Sequence, residues 1–567
     1  MKKVLYVPLD DRPVNLDDVV VQGRTAGIKV ITPCVDDIRN RLDSQKTTSD
    51  STLISTSAPT FGNTANIREF ILDHADEADG FIISADMLAY GGLIGSRRLR
   101  TDGGGTYPDY DPSTTQLLDV IRLVKERCPS KPIYVMDTIM RLATTTYVEG
   151  VFQNAYDESR SFMKQPRKSV ASFNAILESY DLSPDGTPYG ETSTFNKEHY
   201  YEARRHKFKS NYYILDQLSH AGYIDFLAIG VDDSSTQGVQ ANEISFVEEY
   251  INAKLGGVNG QNPERAIILP DADGLGHSLL ARMANEFLRR ETKTKYSVQY
   301  FGPDGSTIIN PYEYMSVHDN IRFHVGMIGG ELVGGSADVE IIAVTDVNQT
   351  SGAVSRLESN SANRIPTVVI DFVGGGPANP VVAEALLDSK SAGQILGYSA
   401  WNTAGNKIGI ALGMAQARHA YLVTETKPSA LSRAVNAHGS LLFKRFLKDY
   451  YYKALAIKEI RQYSRDHHLY TNIPYADANM LLFNSESDYH HLIGLLRDLM
   501  QTYTDTLAAK NAFGIGQSPA SRNVRQICGS AWSYAEYECA SIDYENPDFI
   551  WHRAFEITLN PEVELSR

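Results

Sequence analysis

Cysteine is scarce in this chain, with four among 567 residues. Cys34, Cys128, Cys528 and Cys539 are scattered, and no CxxC pair occurs. This usage excludes a disulfide-built scaffold and a cysteine zinc site, and it fits reduced thiols in a cytoplasmic protein. Positive charge is short as well: 54 Lys and Arg stand against 69 Asp and Glu, a formal net charge of −15. Nucleic acid and acidic membrane surfaces select a basic face, so neither is an expected partner. Apolar runs of 18 or more residues are missing, and with them any expected transmembrane helix. The opening MKKVLYVPLDDRP is interrupted by Pro8 and Asp10 too soon to form the apolar core of a signal peptide, so the expected compartment is the cytoplasm.

Several catalytic signatures are also missing. There is no HExxH and no GxSxG. The glycine-rich pieces DGGGT (102–106) and GGGPAN (374–379) lack the lysine of a phosphate-binding GxxxxGK[ST] loop. A nucleotide is therefore not expected, and no cofactor is implied.

What the chain has in quantity is a repeated alternation. Short apolar, β-branched runs occur at 3–10, 28–34, 80–87, 132–138, 225–233, 265–273, 296–302, 338–346, 366–372 and 394–402. Their apolarity is continuous, as in parallel strands covered on both faces. Segments with helical spacing, such as 113–128 and 276–291, lie between them. The expectation is an α/β fold, a TIM-like (β/α)8 barrel catalytic domain over 1–440. The polar, tyrosine-rich stretch 142–220 is expected as an inserted rim or lid segment. Beyond 440 the texture becomes helical, so 441–567 is expected as a mainly helical C-terminal region with a closing strand near 548–560. No internal repeat is visible in the sequence.

In parallel α/β folds the chemistry collects at the carboxyl ends of the strands. Here those ends carry Asp10, Arg12 and Asn15; Asp86 and Tyr90; Asp137 and Arg141; Asp232 and Asp233; Asp271 and Asp273; Asp371; and Trp401, Asn402 and Asn406. One aspartate after a strand is an ordinary turn or helix-cap residue. So many, with arginines beside them, describe a polar cup for a hydroxyl-rich ligand. Asp10, Arg12, Asn15, Asp86, Tyr90, Arg141 and Asp273 are expected to hold hydroxyls, with Trp401 as a stacking platform flanked by Asn402 and Asn406. A metal-dependent hydrolase using Asp10, Asp86, Asp271, Asp273 and His277 is the alternative enzyme. A non-catalytic carbohydrate-binding scaffold is the alternative outside enzymes.

The adjacent pair in FLAIGVDDSS asks for a particular chemistry. Two carboxylates that flank a scissile bond come from different strands, because neighbouring side chains diverge. Adjacent aspartates instead suit catalysis in which the substrate's 2-acetamido group is the nucleophile. One carboxylate holds the amide N–H while an oxazoline forms, and the other protonates the leaving oxygen.

The motifs YVPLDDRPVN (6–15), GVDDSSTQG (230–238) and GYSAWNTAGNKIGIALG (397–413) together resemble a bacterial family known only as a domain of unknown function. Locally, DFLAIGVDDSS is similar to the catalytic strand of the O-GlcNAcase-like N-acetylhexosaminidases. That resemblance implies an exo-acting, retaining β-N-acetylhexosaminidase acting on a GalNAc or GlcNAc glycoside. It implies Asp232 as the residue that orients the acetamido nitrogen and Asp233 as the general acid/base, with AWNTAGN lining the sugar pocket.

Overall fold

The computed structural model describes the chain except for residues 43–44, 47–51, 54–58, 102–109, 147, 150, 152, 259–262, 290–291, 468–485, 518–521, 529–530, 552 and 567. The DGGGT piece at 102–106 therefore lies outside the described residues. Each of the ten expected runs contains a strand, and all ten are parallel. Every residue of Gly80–Ser84, Ile133–Ile139 and Phe226–Val231 is buried. That is the reason their apolarity is continuous.

The strands do not form the expected eight-stranded barrel. They divide into two sheets. The first runs Lys29–Ile31, Lys3–Val7, Gly80–Ser84, Ile133–Ile139, Phe226–Val231, Ala266–Leu269. The second runs Glu331–Leu332, Lys295–Phe301, Val339–Val344, Thr367–Asp371, Gly397–Ser399. Numbered along the chain, the orders are 2-1-3-4-5-6 and 2-1-3-4-5. Each sheet begins in its interior and grows outward both ways, which is the doubly wound pattern rather than sequential closure around a ring. The two halves thus repeat one topology, although the sequence shows no repeat.

Three apolar layers hold the sheets. Leu5, Val7, Phe81, Ile83, Val135 and Ile229 face an outer core that includes Met163, Tyr200 and Phe208 of the 142–220 segment. Their strand neighbours Val4, Tyr6, Ile82, Met136 and Ala228 face a central core, which they share with Val339, Ile341, Val368 and Ile370 of the second sheet. Helices Leu275–Arg289 and Ala404–Leu422 pack together in that layer. Ile342, Val344, Val369 and Tyr398 face a third core with Phe443, Phe446, Leu496 and Phe513. Alternate residues of a strand point to opposite faces, so one apolar run serves two cores.

The C-terminal region grows out of this third core. The expected boundary at 440 falls inside helix Pro428–Phe446, which continues as a π-helical segment over Leu447–Ala456. After helix Glu486–Ala509 the chain turns to antiparallel strands, including the hairpin of Asp548–Ile550 with Arg553–Thr558. The 548–560 strand reading is thus a hairpin rather than one strand. Among the described residues no helix is long and apolar enough to cross a membrane.

Candidate active site

The carboxyl ends of both sheets open onto one cavity of about 710 Å³. From the first sheet come Arg12, Arg97, Arg141, Asp232, Asp233, Asp271 and Asp273. The second contributes Tyr312, Glu313, Asn402 and Asn406, and the C-terminal region adds Lys453, Trp551 and Glu556. Gln153, Tyr156 and Asp157 bring the 142–220 segment to its wall.

One side is an ion-paired clamp. Arg12 grips Asp10 through Nε (3.0 Å to Oδ2) and Nη2 (2.8 Å), and it donates to Asp273 Oδ1 at 2.5 Å. Asn15 Nδ2 donates to Asp10 Oδ1 at 2.8 Å and to Asp273 Oδ1 at 3.0 Å. Asn406 Oδ1 accepts from the amides of Ala272 and Asp273, and Asn402 Nδ2 donates to Asp273 at 3.4 Å. Burial, with Asp10 close by, pushes the Asp273 carboxyl up to about 6 against the pull of Arg12. Asp10 and Asn15 thus stand behind Arg12 and Asp273 rather than on the cavity wall itself.

Asp232 and Asp233 follow the buried Phe226–Val231 strand. Gly230 lets that strand pass close to the next strand's turn, since a Cβ there would lie 2.4 Å from the Asp271 carbonyl. Asp232 is almost fully buried and ion-paired to Arg97 Nη2. Burial raises its carboxyl, Arg97 lowers it and Asp233 raises it again, for a net upward shift. Asp233 turns into the left-handed region (φ 39°), is paired with Arg141 Nη1 at 3.3 Å, and keeps a side-chain exposure of 22% against 6% for Asp232. The carbonyl of Asp233 accepts from Arg160 Nη1 at 3.2 Å.

Among the wall residues that sequence reasoning missed are Glu313, Trp551, Lys453 and Glu556. Glu313 is buried, accepts from the Gly405 amide at 2.7 Å and from Asn320 Nδ2 at 3.2 Å, and is held well above the usual carboxylate range by burial, with Asp271 and Asp233 adding to the shift. It sits in a loop after Lys295–Phe301, where no strand-end pattern marked it. Trp551 lies at the hairpin turn with φ 58°, its Nε1 donating to Asp11 Oδ1 at 2.9 Å and its ring 5.2 Å from the Arg12 guanidinium. Burial pushes Asp11 up to about 7, with Asp10 contributing. Lys453 and Glu556 also line the wall. The sequence offered no signal for these three, because they lie more than 430 residues from Arg12 and outside any α/β unit.

Besides Asp10 and Asn15, three expected pocket residues, Trp401, Asp86 and Tyr90, lie off the cavity wall, as does the strand-end Asp371. Trp401 is fully buried among Val14, Ile410, Met414 and Leu441, so it is a core residue and not a stacking platform. Asp86 is fully buried and paired with Lys207, which also binds Asp137 at 2.6 Å; this cluster ties helix Lys197–Tyr213 to the first sheet. Tyr90 is buried in the outer core beside His206, away from the cavity wall. Asp371 accepts from the amides of Val373, Gly374 and Asn379 and is committed to its own loop.

The alternative metal set does not assemble. The ring nitrogens of His277 lie 2.6 Å from Gln22 Oε1 and 2.9 Å from the Val14 carbonyl, and Asp271 Oδ2 faces His324 Nε2 at 3.2 Å. Among the described residues no group of three or more His, Cys, Asp or Glu side chains has the arrangement of a metal site.

A family model described as "Protein of unknown function (DUF4127)" matches residues 4–560. The chain belongs to that family. No curated protein matches it. Among solved structures, the complex of a UDP-glucosyltransferase from Polygonum tinctorium, capable of glucosylating indoxyl, with 3,4-dichloroaniline is 8% identical, over 78% of this chain and 98% of that one, at a TM-score of 0.17. A likeness that low says nothing about fold or activity here.

In this family member, backbone strain gathers at the cavity. Among the described residues six that are not glycine have left-handed backbone, and four of them, Asp233, Tyr312, Asn402 and Trp551, line this wall. Such conformations cost of order 1–3 kcal/mol each and persist where the surroundings enforce them, typically at functional sites. At Tyr312 the enforcement is visible: its carbonyl accepts from both the amide and the Oγ of Ser234, and Arg160 stacks on its ring at 4.0 Å.

Proposed function

We propose that this protein is an exo-acting, retaining β-N-acetylhexosaminidase that works by substrate-assisted catalysis. The observation that carries the reading is the adjacent pair Asp232–Asp233 on one wall of a cavity sized for one or two sugar rings. Asp232, anchored by Arg97, accepts the substrate's acetamido N–H and polarises the amide. The acetamido oxygen then attacks the anomeric carbon, and the glycosidic bond breaks. Asp233, the more open of the two, donates its proton to the leaving oxygen and recovers one from the water that opens the oxazoline. Arg12, Asp273 and Asn402 supply donors and acceptors for ring hydroxyls.

The test is hydrolysis of p-nitrophenyl β-GalNAc, β-GlcNAc, β-galactoside, β-glucoside and α-GalNAc by the wild type, Asp232→Asn and Asp233→Asn. The reading expects cleavage confined to the N-acetyl β-glycosides, with each substitution lowering kcat on the order of 10²–10⁴-fold. Binding of these sugars without cleavage would move the protein to the carbohydrate-binding class.

A further inference from the structure

The wall built by the C-terminal region carries two groups whose hydrogen bonding is incomplete. Glu556 is 1% exposed. Its Oε1 accepts from the Val14 amide and from Lys448, but its Oε2 has no donor among the described residues. Lys453 is 9% exposed, and its ammonium donates to the Phe555 carbonyl at 2.8 Å, with no carboxylate among the described residues within ion-pairing distance. The contrast with three cavity arginines is plain, since Arg12, Arg97 and Arg141 each hold a carboxylate. Burial pushes the Lys453 ammonium down to about 7, Arg461 adding to the shift and Glu556 opposing it.

A buried acceptor without a donor and a buried ammonium with spare protons are both costly when left unmet. A bound anion would satisfy Lys453 but would be repelled by Glu556. A neutral ligand with two neighbouring hydroxyls satisfies both, one hydroxyl donating to Glu556 Oε2 and the other accepting from Lys453 Nζ. Trp551, which lines the same cavity and is held there by Asp11 and Arg12, supplies an apolar ring face.

We infer that Lys453, Glu556 and Trp551 form a subsite for the vicinal hydroxyls of a neutral pyranose, so that the C-terminal region selects the sugar's configuration. The inference deepens the glycosidase reading and rests on it for the ligand being a sugar. It also gives the cavity the stacking platform that Trp401 does not supply.

The experiment measures binding of N-acetylgalactosamine, N-acetylglucosamine and their 3-deoxy and 4-deoxy analogues to the full-length protein by titration calorimetry. Wild type, Lys453→Met and Glu556→Gln are compared, each checked for an unchanged circular dichroism spectrum. Lys453→Met removes only one main-chain hydrogen bond and a contact with the Phe555 ring, and the deoxy sugars perturb no protein group at all. At least one deoxy analogue should bind wild type about 10- to 100-fold more weakly than its parent, and that penalty should vanish in Lys453→Met. Parent and deoxy sugars binding alike to wild type, no deoxy penalty that vanishes in Lys453→Met, or no sugar binding at all would overturn the subsite. Because binding is read without turnover, a subsite that passes while no p-nitrophenyl glycoside is cleaved rejects the reaction and keeps the subsite. Cleavage that requires Asp233, with KM unchanged in Lys453→Met, rejects the subsite and keeps the reaction.

Discussion

Arg97 is paired with Asp232, so the more buried of the two adjacent aspartates has its counter-charge before any ligand arrives, as Asp233 has in Arg141. Arg97 and Asp232 are each under one-tenth exposed, and the pair joins the C-terminal end of the short helix Leu93–Ser96 to the end of strand Phe226–Val231. Removing one member of such a pair leaves an uncompensated buried charge, which costs about 3–5 kcal/mol. Arg97→Met should therefore be destabilised by that order at pH 7, as read by urea unfolding. At pH 5 the cost should be smaller, because Asp232, already shifted upward, can take a proton and become neutral. An equal cost at both pH values would show that Asp232 is not the group left exposed to burial.

The two tryptophans should separate stability from ligand contact. Trp401→Phe removes part of a fully buried ring in the core and should lower stability by about 1–3 kcal/mol with KM unchanged. Trp551→Ala, at the cavity wall, should leave the melting temperature nearly in place and raise KM about tenfold or more. The reverse pattern would restore Trp401 as the platform.

Asn402 tests whether strain belongs to function. Its φ of 67° suits glycine, so Asn402→Gly should hold or gain stability by about 0.5–1 kcal/mol, while Asn402→Ala should lose about 1–2 kcal/mol. Both remove the hydrogen bond to Asp273 and should reduce activity alike. Thermal unfolding and kcat/KM measured on the pair check both halves of the statement.

His277 makes a prediction about acid. Burial depresses its pKa to about 4, below the 6.5 of a free histidine, so the unfolded chain binds a proton that the folded chain refuses between those values. Folded-state stability from this residue is thus complete above about pH 6.5 and is lost as pH falls toward 4, at up to about 1.4 kcal/mol per pH unit. His277→Leu should be less stable than wild type at pH 7.5, and that difference should shrink steadily down to pH 4. A difference that stays constant over this range would mean that the imidazole does not titrate as its burial requires.

Much of the local structure was legible. The ten apolar runs are ten strands, since a parallel strand buried on both faces admits little else. The strand-end rule found Arg12, Arg141, Asp232, Asp233, Asp273, Asn402 and Asn406, which do share one cavity. The same rule over-reached at Asp86 and Trp401. A charge or an aromatic ring at a strand end can equally be paired inward, and only the packing of Lys207 or Leu441 against it tells which.

The sequence by itself determined the α/β class, the strands and most of the carboxylates, because hydrophobic period and turn chemistry act over a few residues. Tertiary structure alone decided that the strands make two open sheets of like order and not a closed ring. It also brought Glu313, Lys453, Trp551 and Glu556 to the cavity that Asp232 and Asp233 line. Strand order and wall membership are contacts between distant segments, settled by which apolar faces cover one another, and no local pattern records them.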